Sequence, residues 1–164
     1  MTTKTQPTDA TGYTARLSSV RIQVSAPALA DRRTADRPET AAAYIKGLRE
    51  RLELDEDQEQ FIMLTINRRH VVTGYKVLSM GTRASAPVDR GRLWRDALLL
   101  NAAAIIVTHN HPGGETSPST DDIAVTKMLV EGGQVLGIDV LDHIITGTTP
   151  DRWLSLRTQQ PEIF

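Results

Sequence analysis

Reactive side chains concentrate in one stretch of the sequence, His109-Asn110-His111-Pro112-Gly113-Gly114-Glu115-Thr116-Ser117-Pro118-Ser119-Thr120-Asp121-Asp122. Residues two apart on extended chain point to the same side, so His109 and His111 can present both imidazoles to one point. The Pro-Gly-Gly run lets the chain turn back and bring a helix that starts at Ser119 towards them. Asp122 falls in the first turn of that helix. Two imidazoles and a carboxylate suit Zn²⁺ at about 2.0–2.2 Å, and three protein ligands leave a fourth position for water, as in a catalytic zinc site. A second reading stands beside this one. Ser119-x-x-Asp122 is also a capping-box pattern that serves a helix start without any metal, and two loop histidines are commonly just solvated. Residue types and spacing leave both readings open.

Composition narrows the chemistry further. None of the 164 residues is cysteine, which excludes disulfides, a thiol nucleophile and every thiolate metal site. The formal net charge of −1 offers no overall attraction to polyphosphate, so a nucleic-acid role would need a local basic patch. No apolar run approaches the roughly 18 residues needed to span a bilayer, and the N-terminus lacks the apolar stretch of a secretory signal. A cytoplasmic protein is the expectation. Hydrophobic residues at 40% and charged residues at 24% fit one soluble α/β domain.

The elements that must position the site follow from periodicity. Residues 1–12 are polar and read as a disordered tail. Val20, Ile22 and Val24 alternate as in a strand, and residues 25–38 read as a linker. Ala42, Ile45, Leu48 and Leu52 recur at helical steps and predict a helix over 38–53, capped by Asp36 or Thr40. Strands are expected at 61–67 and 71–79, joined by a hairpin whose solvated tip carries Arg68, Arg69 and His70. Arg68, Arg69 and Arg83 are candidates for lining an acidic substrate groove, although scattered surface charge explains them equally. Leu93, Ala97 and Leu100, widened by Trp94 and Leu98, predict a helix over 90–101. The apolar run 103–108 reads as a buried central strand ending in the loop His109–Gly114. A helix from Ser119 should stop at Gly132-Gly133, and strands are expected at 135–140, 142–146 and 153–156. His143 lies inside an apolar stretch and reads as a core histidine bonded to a neighbour, with a role behind the metal ligands left open. The whole predicts a mixed sheet flanked by helices.

His109-x-His111, seven residues, Ser119, two residues and Asp122 resemble the zinc signature of the JAMM (JAB/MPN) metalloproteases. Within that superfamily the chain is similar to the bacterial RadC family. Ala102–Gly114, Pro118-Ser119-x-x-Asp122-Ile123 and Leu136–Ile145 resemble three of its sequence blocks, in order, and the likeness covers about residues 13–158 of a domain taken as 13–164. The resemblance implies a zinc-dependent hydrolase with His109, His111 and Asp122 as ligands, acting on a protein or peptide. It implies that Glu59, at the start of Glu59-Gln60-Phe61, is the general base on zinc-bound water. It assigns Ser119 a part in steadying the oxyanion or the active-site loop. The family name also implies an alternative, a non-catalytic DNA-associated accessory protein in repair or recombination, which the near-neutral charge disfavours. Longer relatives carry an N-terminal DNA-binding-like region for which this chain is expected to have no room. Two positions depart from the pattern: Gly113 replaces a serine, and Gly91 replaces a glutamate after Arg90.

Overall fold

The computed structural model describes residues 34–80, 88–149 and 151–164. The expected tail, the strand at 20–24, Arg83 and all of the linker before Thr34 lie outside them. At the linker's end, Thr34 forms a β-bridge with Val71 and Ala35 is buried, so these two residues belong to the folded unit.

Two strands without polar alternation make the centre. β1 (Gln60–Ile66) and β3 (Ala104–Asn110) are buried at every position, as strands covered on both faces must be. They pair antiparallel, with Phe61 opposite His109 and Ile66 opposite Ala104. β2 (Val72–Met80) folds back on β1 through the expected hairpin. The side chain of Asn67 closes its tip by accepting the backbone N–H groups of Arg69 and Val71 at 2.9 and 3.1 Å. β4 (Asp139–Thr146) runs parallel to β3, and β5 (Trp153–Ser155) runs antiparallel to β4. The sheet order is β2-β1-β3-β4-β5, the mixed sheet expected.

Alternation sorts the side chains onto two layers. Ile62, Leu64, Ile66, Ala104 and Ile106 meet Ala41, Ala42, Tyr44, Ile45 and Leu48 of α1 (Pro38–Arg51). Phe61, Met63, Ile105 and Val107 meet Leu93 and Ala97 of α2 (Arg90–Leu99) and Leu129 and Val130 of α3 (Thr120–Leu136). Burying a Leu, Ile or Val in these layers is worth about 1.5–3 kcal/mol each. The short α4 (Leu156–Gln159) and a 3₁₀ turn at Pro161–Ile163 complete the second layer through Leu156 and Ile163. Among the described residues no helix is long and apolar enough to cross a membrane.

Several local expectations need correction. Arg37, not Asp36 or Thr40, holds the N-cap position of α1; Thr40 sits at N3 and accepts the Arg37 N–H at 3.2 Å. Leu98 is 53% exposed and does not widen the buried face of α2. α3 continues through Gly132-Gly133 to Leu136, so the strand expected from Val135 does not form and one strand runs from Asp139. The glycines serve close packing instead. A Cβ at Gly132 would lie 2.8 Å from Trp94 Nε1, and one at Gly133 would lie 2.4 Å from the Ile138 carbonyl oxygen. Gly137, left-handed at φ 68°, is the glycine that ends the helix.

Candidate metal centre

β3 runs two residues further than its apolar run, so His109 belongs to the strand and not to the loop. Its ring is buried and stacks on Phe61 at a centroid distance of 5.9 Å. His111 lies just past the strand, where its N–H still donates to the Thr146 carbonyl at 2.8 Å and prolongs the extended path. Both imidazoles therefore point to one side, with their Nε2 atoms 2.9 Å apart. The chain then turns through Gly114, whose N–H returns to the His111 carbonyl at 2.9 Å and whose φ of 81° favours glycine. That turn delivers the start of α3 to the histidines.

Asp122 serves both readings left open by its spacing. Its Oδ2 accepts the Ser119 N–H at 2.7 Å and the Ser119 hydroxyl at 2.6 Å, while its own N–H donates to Ser119 Oγ at 3.1 Å. The capping box is thus complete. Its Oδ1 lies 3.1 Å from His109 Nε2, and Oδ2 lies 3.5 Å from His111 Nε2. Burial opposes ionisation of this carboxyl, but hydrogen bonding to His109 and His111 holds it well below the usual carboxylate range. The hydrogen bond with Asp122 raises the pKa of His111 against burial, and the Glu115 carbonyl and the Glu59 charge add to the rise. His111 Nδ1 donates to that carbonyl at 2.7 Å.

Glu59 precedes β1 on the edge of the same site, half-buried and close enough for its charge to act on His111. The loop that carries it is held from two sides. Asn110, facing away from the histidines, accepts the Gln60 N–H at 2.9 Å and donates to the carbonyls of Gln58 at 3.0 Å and Glu56 at 3.3 Å. From α1, the buried Arg49 grips both carboxylate oxygens of Glu56 at 3.1 and 2.8 Å and reaches Gln60 Oε1 at 3.1 Å. Neither residue was singled out from the sequence. Alternation would have turned Asn110 away from the site, but its partners lie some fifty positions upstream in sequence.

His143 is buried behind His109 on β4. Its Nε2 lies 2.8 Å from His109 Nδ1, and its Nδ1 lies 2.7 Å from Thr126 Oγ1. Thr126 donates in turn to the Asp122 carbonyl at 2.6 Å. Burial lowers the pKa of His143 well below the ordinary imidazole value. Its neighbour Asp142 faces elsewhere, accepting from Ser155 Oγ at 2.7 Å and the backbone N–H groups of Arg157 and His143. Thr126 also went unrecognised in the sequence, since a threonine inside a helix carries no signal of its own.

Other singled-out residues lie apart. Arg68, Arg69 and His70 are exposed at the opposite end of the sheet and cannot line a groove with the histidines. Gly113 has open space where a side chain would stand, so the departure there removes no packing. Arg90 reaches Met128 Sδ; nothing in the structure explains Gly91 in place of glutamate.

Whether a metal fits can be judged from the donors. One ligand atom from each of His109, His111 and Asp122 lies within 4.8 Å of the other two. Two donors on a tetrahedral Zn²⁺ lie about 3.3–3.6 Å apart. The separations of 2.9, 3.1 and 3.5 Å fall within that range or a few tenths of an ångström short of it. Imidazole nitrogens with a carboxylate oxygen suit zinc better than magnesium or calcium, which prefer oxygen sets.

The family model described as RadC-like JAB domain matches residues 35–161. A "UPF0758 protein" of Desulforamulus reducens is 41% identical over 105 residues, covering 64% of this chain and 45% of that protein. A "UPF0758 protein" of Methanosarcina acetivorans gives the same identity and coverage. One of Moorella thermoacetica is 43% identical over 91 residues, 56% of this chain and 40% of its own length. The aligned part of the chain spans less than half the length of these relatives.

Proposed function

The chain belongs to the RadC-like JAB domain family, and on that premise we propose that it is a zinc-dependent hydrolase of peptide or isopeptide bonds. The observation that carries this reading is the convergence of His109 Nε2, His111 Nε2 and Asp122 Oδ1 and Oδ2 on one point, with Glu59 at its edge. Zinc, when bound, supplies a Lewis acid that polarises the scissile carbonyl and lowers the pKa of water towards about 7. Glu59 accepts the proton of the attacking water and delivers it to the amine as the C–N bond breaks. Ser119 steadies Asp122 through two hydrogen bonds to Oδ2. The N-terminus of α3, which Ser119 caps, favours negative charge developing nearby.

Metal analysis of the protein purified without chelator tests the centre. About one zinc per chain in the wild type and none in His109→Ala is expected; an empty wild type, or a His109→Ala variant that keeps its zinc, overturns the reading. The substrate class is tested by comparing cellular protein termini and conjugates exposed to wild type and to Glu59→Gln. Species that accumulate only with Glu59→Gln support a protein substrate, and identical sets at full zinc occupancy exclude one.

A further inference from the structure

His111 sits at the mouth of a turn that closes on itself. Its carbonyl accepts the Gly114 N–H at 2.9 Å, and the Glu115 carbonyl lies 2.7 Å from its Nδ1. The turn has little else with which to hold its place. Pro112 has no N–H to donate, and Gly113 is exposed, with nothing within 4 Å of where its Cβ would stand. Two successive glycines leave the backbone free to follow many paths. Whatever fixes the Glu115 carbonyl against the imidazole must press on the turn from behind.

That contact comes from the end of β4. The Thr146 carbonyl takes the His111 N–H at 2.8 Å, and the next residue, Gly147, meets the turn at Gly114. Both glycines are buried. A Cβ at Gly147 would stand 2.7 Å from the Gly114 carbonyl oxygen, and one at Gly114 would stand 3.1 Å from Thr148 Oγ1. Gly147 is itself anchored: its N–H donates to the Arg152 carbonyl at 2.8 Å, and the Arg152 N–H donates to the Thr149 carbonyl at 2.9 Å. The Gly114 carbonyl belongs to the backbone and cannot swing aside as a side chain would. Restoring an ordinary carbon–oxygen contact of about 3.3–3.6 Å would therefore move the chain by about half an ångström or more. Zinc–ligand distances tolerate only about 0.2 Å.

We propose that Gly147, backed by Thr148, is a positioning residue for His111. Its bare α-carbon lets the end of β4 touch the Gly114 turn, and that contact sets the Glu115 carbonyl that orients the His111 ring. The purpose of the contact rests on the metal-centre reading; the contact itself does not. Gly113 and Gly147 thus make opposite demands. The first has open space for a side chain, and the second has none.

The test compares Gly147→Ala with Gly113→Ala in the full chain, by zinc titration and by amide hydrogen exchange of the metal-free protein. Gly147→Ala should weaken zinc binding about 10- to 100-fold, the usual cost of disturbing a group behind a metal ligand. Its Gly114 N–H should exchange faster while the amides inside β1 keep their protection. A merely structural role would lower protection in both places. Gly113→Ala should match the wild type in both readouts. Thr148→Gly changes an exposed residue and leaves the core intact, so it should shift both readouts in the same direction as Gly147→Ala, and it decides the matter if that variant does not fold. Wild-type zinc affinity in Gly147→Ala, an equal loss in Gly113→Ala, or exchange that rises throughout β1 would each overturn the proposal. So would a Thr148→Gly variant indistinguishable from the wild type. A wild type that binds no zinc sinks the hydrolase reading, and exchange at Gly114 then decides the contact by itself.

Discussion

At one end of the sheet, His109, Asn110 and His111 leave β3; at the other, Asn67, Arg68, Arg69 and His70 join β1 to β2. Both ends are short polar runs with a histidine next to asparagine or arginine, and both adjoin the same two central strands. At the first end the polar groups are buried or half-buried and bonded to residues from β1, the loop before it, α3 and β4. At the second, Arg68, Arg69 and His70 are exposed beside a cleft of about 790 Å³, where the Asn67 side chain closes the turn on its own backbone and the His70 carbonyl accepts the Ala35 N–H at 2.7 Å. The difference is one of depth. A polar group that loses water must find protein partners, and partners drawn from three elements and a loop fix its position in a way that solvent cannot.

The comparison breaks most sharply by truncating one histidine at each end. His109→Ala should abolish zinc binding and hydrolysis, while His70→Ala leaves both unchanged; metal content and turnover report the pair. The asparagines offer the next contrast. Asn110→Leu takes the acceptor from the Gln60 N–H near the core, at about 1–3 kcal/mol for a buried group, and removes the two bonds by which Asn110 holds the loop at Glu56 and Gln58. Urea unfolding should show that loss, and turnover should fall at unchanged zinc content, because the released loop carries Glu59.

Acid–base behaviour separates the ends more gently. In the metal-free protein the hydrogen bond with Asp122 raises His111 above 6.5, so its contribution is full below that pH and is lost as pH rises through the raised value. Burial raises Asp122, but bonding to both histidines lowers it below 3.8 overall, so its contribution is present above that value and is lost as pH falls further. This pair should therefore stabilise the metal-free fold most between about pH 4 and 6.5. Zinc must displace the His111 proton, so its affinity should rise with pH. Melting curves across pH, with and without zinc, check both signs, and His111→Ala should flatten the two dependences. The smallest effect is expected at the far end, where Arg68→Ala and Arg69→Ala should stay within about 0.5 kcal/mol and leave turnover unaltered.

Legibility in the sequence followed the range of the forces involved. The helix at Ala41–Leu48, the apolar strands and the capping serine rest on patterns within a few residues, and these were readable. Gly132-Gly133 was misread because a glycine pair inside a helix looks like a stop until Trp94, nearly forty positions upstream, is found packed on it. The end of β3 was misplaced for a related reason. His109 looks like a loop residue by type, yet pairing with Phe61 on one side and Ile145 on the other keeps it in the strand.

The candidate site divides the same way. His-x-His spacing and the position of Asp122 in a helix's first turn are local properties of the chain, and they determined which donors could meet and which metal they would suit. Only the tertiary structure decided that one carboxylate caps the helix and faces both histidines at once, since that requires the turn after Gly114 to bring α3 back to β3. It alone decided the company behind the site: His143 from a neighbouring strand, Thr126 from one turn below Asp122, and Asn110 and Arg49 holding the loop of Glu59. Those partners are chosen by burial, which obliges each polar group to bond to whatever the packed fold places beside it.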